Sequence, residues 1–279
     1  SSTCPTPHAH HGPDTRSSAL APNSVTQSHD ALASADSSLM AAWASFDEGK
    51  LEEAIQLTRQ SLEHAPEDRP HAYAALGWFL LSAGSTEEAL VLLASSVGRY
   101  PEHAPLHWYL GLVHQKEHRL EDACQALMAA VTFDPNLDEA AVSLARVLGD
   151  LHRFEEAEHY ARHALSIKNQ PERLAQLGWF LLAQDKWEAA AEQLAQALSQ
   201  QPKNAETRSQ LATALQKLGR RDEALKVLSG GLALSENTPA LLQQRVRLLL
   251  ELRQPDDARE TVERLLFLAP DDVTSHTFA

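Results

Sequence analysis

Apolar side chains fall in short runs separated by turn-forming residues. The clearest case lies between Leu76 and Pro101: Leu76-Gly77-Trp78-Phe79-Leu80-Leu81 leads to Gly84, the chain restarts at Glu87-Glu88-Ala89-Leu90, and it stops at Tyr100-Pro101. Twelve residues separate Gly77 from Ala89, and twelve more separate Ala89 from Pro101. A small residue, then alanine, then proline at this spacing predicts two short helices packed back to back. The small side chains permit close approach, and proline ends the second helix.

The unit repeats along most of the chain. Its alanine recurs as Ala54, Ala89, Ala123, Ala157, Ala190, Ala224 and Ala258, in steps of 35, 34, 34, 33, 34 and 34 residues. Twelve residues earlier stand Ala42, Gly77, Gly111, Ala145, Gly178, Ala212 and Val246, and twelve later come Pro66, Pro101, Pro135, Asn169, Pro202, Glu236 and Pro270. First helices are predicted near 36–47, 71–82, 105–117, 139–150, 172–184, 206–217 and 240–252, and second helices near 52–64, 87–99, 121–133, 155–167, 188–200, 222–234 and 256–268. Gly49, Gly84 and Gly219 suit the left-handed turn within a pair, whereas His118, His152, Asp185 and Arg253 stand at the same point in the other repeats. Pro255 fits the first turn of its helix, where a missing backbone N–H costs little.

A period of 34 residues with a helix–turn–helix pattern resembles the tetratricopeptide repeat family over residues 35–272. The resemblance implies an all-α fold, a right-handed α-α superhelix of seven helical pairs, in which each pair is stable only when stacked on its neighbours. Residues 1–34, rich in Ser, Pro, Ala and His, are expected to form a disordered tail that ends in a weak helix near Asp30–Ala33. Residues 273–279 are in phase with the start of an eighth helix, which predicts a truncated chain. Without a polar cap, the seventh pair would leave Val262, Leu265 and Leu266 partly exposed.

Composition narrows the partner. The 24 basic and 38 acidic residues give a formal charge of −14, which argues against nucleic acid and favours a neutral or basic protein. No apolar run is long enough to span a bilayer, so no membrane insertion is expected, and the cytoplasm is the favoured compartment. Cys4 and Cys124 imply no disulfide framework. Arginine outnumbers lysine 17 to 7, a bias typical of GC-rich bacterial genomes.

The sequence contains no nucleophile elbow, metal-binding His-Glu-x-x-His helix, phosphate loop or paired-cysteine motif, so no catalysis, cofactor or metal is expected in this segment. His103/His107, His114/His118 and His159/His163 have chelating spacing. His107 and His114, however, fall where the repeat pattern packs one helix on its partner, and His8, His10 and His11 lie in the tail.

In the resembled family, first helices line a concave face that holds extended or helical protein segments. That carry-over points to Trp43, Trp78, Trp108, Tyr109, Arg146, Trp179, Gln210, Gln244 and Arg247 as partner-binding residues, with Leu39, Phe46, His71, Ala74, Leu81, Leu112, Gln115, Glu139, Val142, Asp150, Glu172, Gln176, Leu182, Glu206, Thr213, Gln216, Gln243 and Leu250 on the same face. Trp187 sits at a helix start, where packing between helices explains it. The inward Lys/Asn pairs by which some members clamp a terminal carboxylate do not occur at these positions. The expected function is a non-catalytic scaffold for a protein or peptide ligand. Two alternatives stay open: the substrate-presenting region of a larger enzyme such as a bacterial glycosyltransferase, and a scaffold that self-associates through an uncapped C-terminal repeat.

Overall fold

The computed structural model describes residues 22–64, 69–234 and 238–268. The histidines and cysteine of the expected tail (His8, His10, His11 and Cys4) and the expected eighth helix at 273–279 lie outside the described residues. Fourteen α-helices and no strand occur among the described residues: α1 (Pro22–Asp47), α2 (Leu51–His64), α3 (Pro70–Ser82), α4 (Thr86–Arg99), α5 (Ala104–Lys116), α6 (Leu120–Phe133), α7 (Asp138–Asp150), α8 (Phe154–Ile167), α9 (Pro171–Ala183), α10 (Trp187–Gln200), α11 (Ala205–Lys217), α12 (Arg221–Leu234), α13 (Pro239–Glu251) and α14 (Pro255–Leu268).

These bounds follow the periodicity to within about a residue, with one exception. Helix α1 begins at Pro22, inside the segment expected to be tail, so residues 22–34 are helical. Strong helix formers such as Ala31, Leu32 and Ala33 carry the helix back past the repeat, and Pro22 occupies the helix start it tolerates best. Low apolar content removed the packing signal there; it did not remove propensity.

The chain divides into two compact units, residues 1–72 and 73–279. In the first, α1 and α2 form a hairpin with Ala42 and Ala54 fully buried. Ser61 Oγ donates to Ala35 O at 2.7 Å, and Arg69 pairs with Asp36 at 2.8 Å. In the second unit, α5/α6, α7/α8, α9/α10, α11/α12 and α13/α14 pack as hairpins, and each second helix packs on the first helix of the next pair.

The predicted alanine and glycine positions explain the close contact within pairs. A Cβ built on Gly77, Gly111 or Gly178 would lie 2.4, 2.6 or 2.5 Å from the nearest side-chain carbon of Leu93, Leu127 or Leu194, respectively. Each leucine stands four residues after its anchor alanine and is fully buried. In the fourth repeat the equivalent residues are Ala145 and Ala161, both buried. In these four repeats glycine opposite leucine, or alanine opposite alanine, therefore fills one space in two ways, whereas the sixth sets Ala212 opposite Leu228, both fully buried.

All seven predicted turn residues have positive φ, from 57° at His118 and Arg253 to 83° at Gly84. Around each, the following N–H bonds five residues back, as from Ser85 to Leu80 O at 2.9 Å and from Arg153 to Leu148 O at 2.9 Å. That is the Schellman closure of a helix C-terminus. An added Cβ at Gly84 meets nothing within 4 Å, so Gly84→Ala isolates the backbone cost of the left-handed region. We expect it to destabilise by about 1 kcal/mol, and His152→Gly to gain a smaller amount, both read from the urea midpoint. Equal midpoints for Gly84→Ala and the wild type would contradict this.

A buried carboxylate ties two repeats together. Glu158 on α8 accepts from Lys186 Nζ and Gln184 Nε2, each at 2.7 Å, and pairs with Arg162. Burial alone pushes its carboxyl up, but these donors outweigh burial and hold it below the usual carboxylate range. At α13/α14 Leu266 is half-buried, as expected, but the other two residues differ from expectation. Leu265 is fully buried and Val262 nearly so, because both point into their own hairpin, whereas Leu250 and Phe267 are exposed.

Candidate functional site

Within the second unit, first helices α7, α9 and α11 frame an open cleft of about 460 Å³. Val142 and Arg146 come from α7, Glu172, Ala175, Gln176 and Trp179 from α9, and Glu206, Thr207 and Gln210 from α11, with Asn204 at the mouth. Helical periodicity puts these residues together: Glu172, Gln176 and Trp179 follow i, i+4, i+7, one stripe of one helix. A second cleft of about 360 Å³ follows between α11 and α13, lined in part by Thr213, Gln216, Gln243, Gln244 and Arg247.

The exposed aromatic of the first cleft is Trp179, at 39% accessibility. Its indole meets Phe154 edge-on at 5.9 Å and Phe180 at 5.1 Å. A Cβ on Gly149 would lie 2.9 Å from Trp179 and 2.5 Å from Phe180, so this glycine lets the two rings seat against α7. Gly149, Ala175 and Asn204 were not among the predicted site residues. Ala175 could have been found as the residue between Glu172 and Trp179 on the same stripe. Gly149 could not, because its role is to leave room for residues 30 positions away.

The other predicted residues divide. Trp78, Tyr109 and Trp108 form a stack with centroid separations of 5.6 and 4.6 Å, and Trp108 Nε1 donates to Ser143 Oγ at 3.2 Å. Tyr109 is buried at 9% exposure, so it supports the wall rather than presenting a surface. Burial, with the nearby Glu139 charge, pushes its phenol up to about 12. Gln244 is engaged between repeats: it accepts from Ser209 Oγ at 2.8 Å and donates to Ser209 O at 3.2 Å and Thr213 Oγ1 at 3.1 Å. Arg146 is exposed and donates to Gln115 Oε1 at 3.3 Å. Gln210 donates to Glu206 Oε1 at 3.2 Å, while its own Oε1 is buried without a donor. Trp43 belongs to the first unit, half-exposed and edge-on to Phe46 at 6.0 Å. Trp187 packs under Lys217, whose Nζ lies 5.7 Å from the ring centroid.

Carboxylates gather at the helix starts. A hydrogen bond from Glu139, against burial and with help from Arg173, holds Asp138 below its ordinary range, and the same bond together with burial pushes Glu139 up. One histidine of each of two spaced pairs bonds the backbone: His107 Nε2 is 2.7 Å from Pro101 O and His163 Nε2 is 2.7 Å from Pro135 O. Among the described residues no group of three or more His, Cys, Asp or Glu is placed to hold a metal ion, and no helix is long and apolar enough to cross a membrane.

Two family models described as tetratricopeptide repeat match the chain, one at residues 45–111 and 181–244 and another at 139–170. Superkiller protein 3 of Schizosaccharomyces pombe is 26% identical over 204 residues, 67% of this chain and 15% of its own length, so the chain spans a small part of that relative. Among solved structures, the C-terminal part of a TPR repeat-containing protein from Cytophaga hutchinsonii aligns with a TM-score of 0.69 at 14% identity, covering 86% of this chain and 98% of that one. Pseudomonas aeruginosa pilF gives 0.61 at 23%, covering 76% and 97%. YrrB, described as a TPR protein with an unusual peptide-binding site, gives 0.57 at 17%, covering 66% and 96%.

Proposed function

Because the chain belongs to the tetratricopeptide repeat family, a class of protein-interaction modules, we propose that it is a non-catalytic scaffold that holds an extended protein segment along the first-helix face of its second unit. The observation that carries this is the cleft between α7, α9 and α11, with an aromatic ring fixed in position and still 39% exposed. A rigid indole offers large contact area at little entropic cost, which is why tryptophan dominates binding hot spots. The peptide-binding site of YrrB, a protein of the same fold, is consistent with this use.

Trp179 is therefore the residue to test, because Trp78 and Trp108 are half-buried in a stack and their loss would also loosen the wall. Peptides selected from a displayed random library should bind Trp179→Ala at least about tenfold more weakly than the wild type, with the thermal midpoint little changed. Selected peptides that bind both proteins equally would place the docking surface elsewhere.

A further inference from the structure

The anchor alanines of the fourth, fifth and sixth repeats are each preceded, eighteen residues earlier, by a glutamate: Glu139, Glu172 and Glu206. Each is the second residue of its helix, α7, α9 or α11, and each is exposed. An acid in the first turn complements the helix dipole anywhere. Yet α5 and α13 carry Pro105 and Ala240 at the same place, so the fold does not require a carboxylate there. The acids coincide with the three helices that frame the cleft.

Glu172 and Glu206 line that cleft. Their hydrogen-bond partners are the neutral amides of Gln201 and Gln210, and neither forms an ion pair among the described residues. Gln210 Oε1, in the same cleft, is buried and lacks a donor. The cation of the lining, Arg146, comes from the third turn of α7, on the opposite rim. One rim thus asks for positive charge and for hydrogen-bond donors, next to an apolar floor of Val142, Ala175 and Trp179.

Geometry sets the spacing. Packed helices stand about 8–10 Å apart, and an extended chain of the polyproline-II kind advances about 3.1 Å per residue with three residues per turn, so one repeat corresponds to three residues of ligand and brings the side chain back to the same face. Resting on the scaffold reading above, we propose that the occupant of this cleft is an extended basic segment with an apolar anchor against Trp179 and Lys or Arg at positions i and i+3, facing Glu172 and Glu206 in turn.

The test is selection of a displayed random peptide library on the intact chain, followed by titration of synthetic winners. We expect winners to carry a basic pair three residues apart beside an apolar residue. Moving one lysine to an adjacent position, at constant composition, should weaken them about fivefold, and Glu172→Gln/Glu206→Gln about tenfold, since each exposed ion pair contributes modestly. Winners that depend on Trp179 but carry no basic residues, or that tolerate any lysine placement, overturn the charged register and leave the groove standing. Winners indifferent to both Trp179→Ala and the glutamine pair, or no winners at all, overturn the groove as well.

Discussion

Gly111→Ala lowers the stability of the chain, although alanine is the better helix former. Replacing a mid-helix glycine should gain about 1 kcal/mol from backbone entropy. Against that gain, the new methyl would lie 2.6 Å from Leu127 Cγ, 2.8 Å from Leu127 Cδ2 and 3.3 Å from the carbonyl of Ala123. Leu127 is fully buried and cannot swing away, and the backbone oxygen behind it belongs to the same helix. Overpacking of this kind costs about 1–3 kcal/mol, and clashes at two points on the leucine put this site at the upper end, so a net loss of about 1–2 kcal/mol is expected. Leu127→Ala alone should cost about 2–5 kcal/mol through its cavity. The double variant recreates the Ala145/Ala161 arrangement that the fourth repeat already uses. Its cost should fall short of the sum of the singles by at least about 1 kcal/mol, because the added methyl occupies part of the vacated space. Urea unfolding of the four proteins measures the coupling, and strict additivity would show that the two positions do not share one space.

The complementarity behind that cycle shows where reading the sequence stops. Periodicity located all seven alanines, the small residues twelve before them and the seven turn residues with positive φ, because each is a local demand repeated in every unit. Helix bounds followed from the same recurrence. What recurrence could not supply is anything that occurs once. Tyr109 has the spacing of an inward residue, but the indoles on either side of it close its access, and one of them, Trp78, comes from the preceding repeat. Gln244 shares the phase of Gln210 yet is spent on Ser209 and Thr213. Gly149 shapes the cleft by lacking a side chain, and an absence carries no period. Arg146 and Trp179, both exposed, stand eleven residues before their anchor alanines, so one helical face and one repeat phase, both periodic, point to them.

Arg173→Met costs more than the loss of any surface ion pair in the protein. Arg173, the third residue of α9, and Asp138, the first of α7, lie 35 residues apart and pair with side chains only 7% and 14% exposed. The guanidinium also donates to Ala164 O at 3.0 Å, which accepts from Lys168 N as well, and to Lys168 O at 3.3 Å, just past the end of α8. One side chain therefore closes a helix terminus and fastens α9 to the start of α7. Methionine keeps the stem's packing but strands the Asp138 charge with little water and takes the guanidinium donor away from Lys168 O, and breaking a buried pair in this way costs about 3–5 kcal/mol. Asp138→Asn should cost less, since an amide oxygen can still accept from Arg173 and the guanidinium keeps its two carbonyls. Arg173→Met/Asp138→Leu should recover part of the loss by removing the stranded charge. Salt separates this pair from the exposed Arg153–Glu156 contact, whose side chains are 43% and 50% exposed. Raising ionic strength weakens exposed pairs and leaves buried ones nearly untouched, so the gap between wild type and Arg173→Met should persist in high salt. A gap that closes as salt rises, or an Arg173→Met midpoint equal to the wild type, would mean that this contact is a surface interaction and that these two repeats are held together without it.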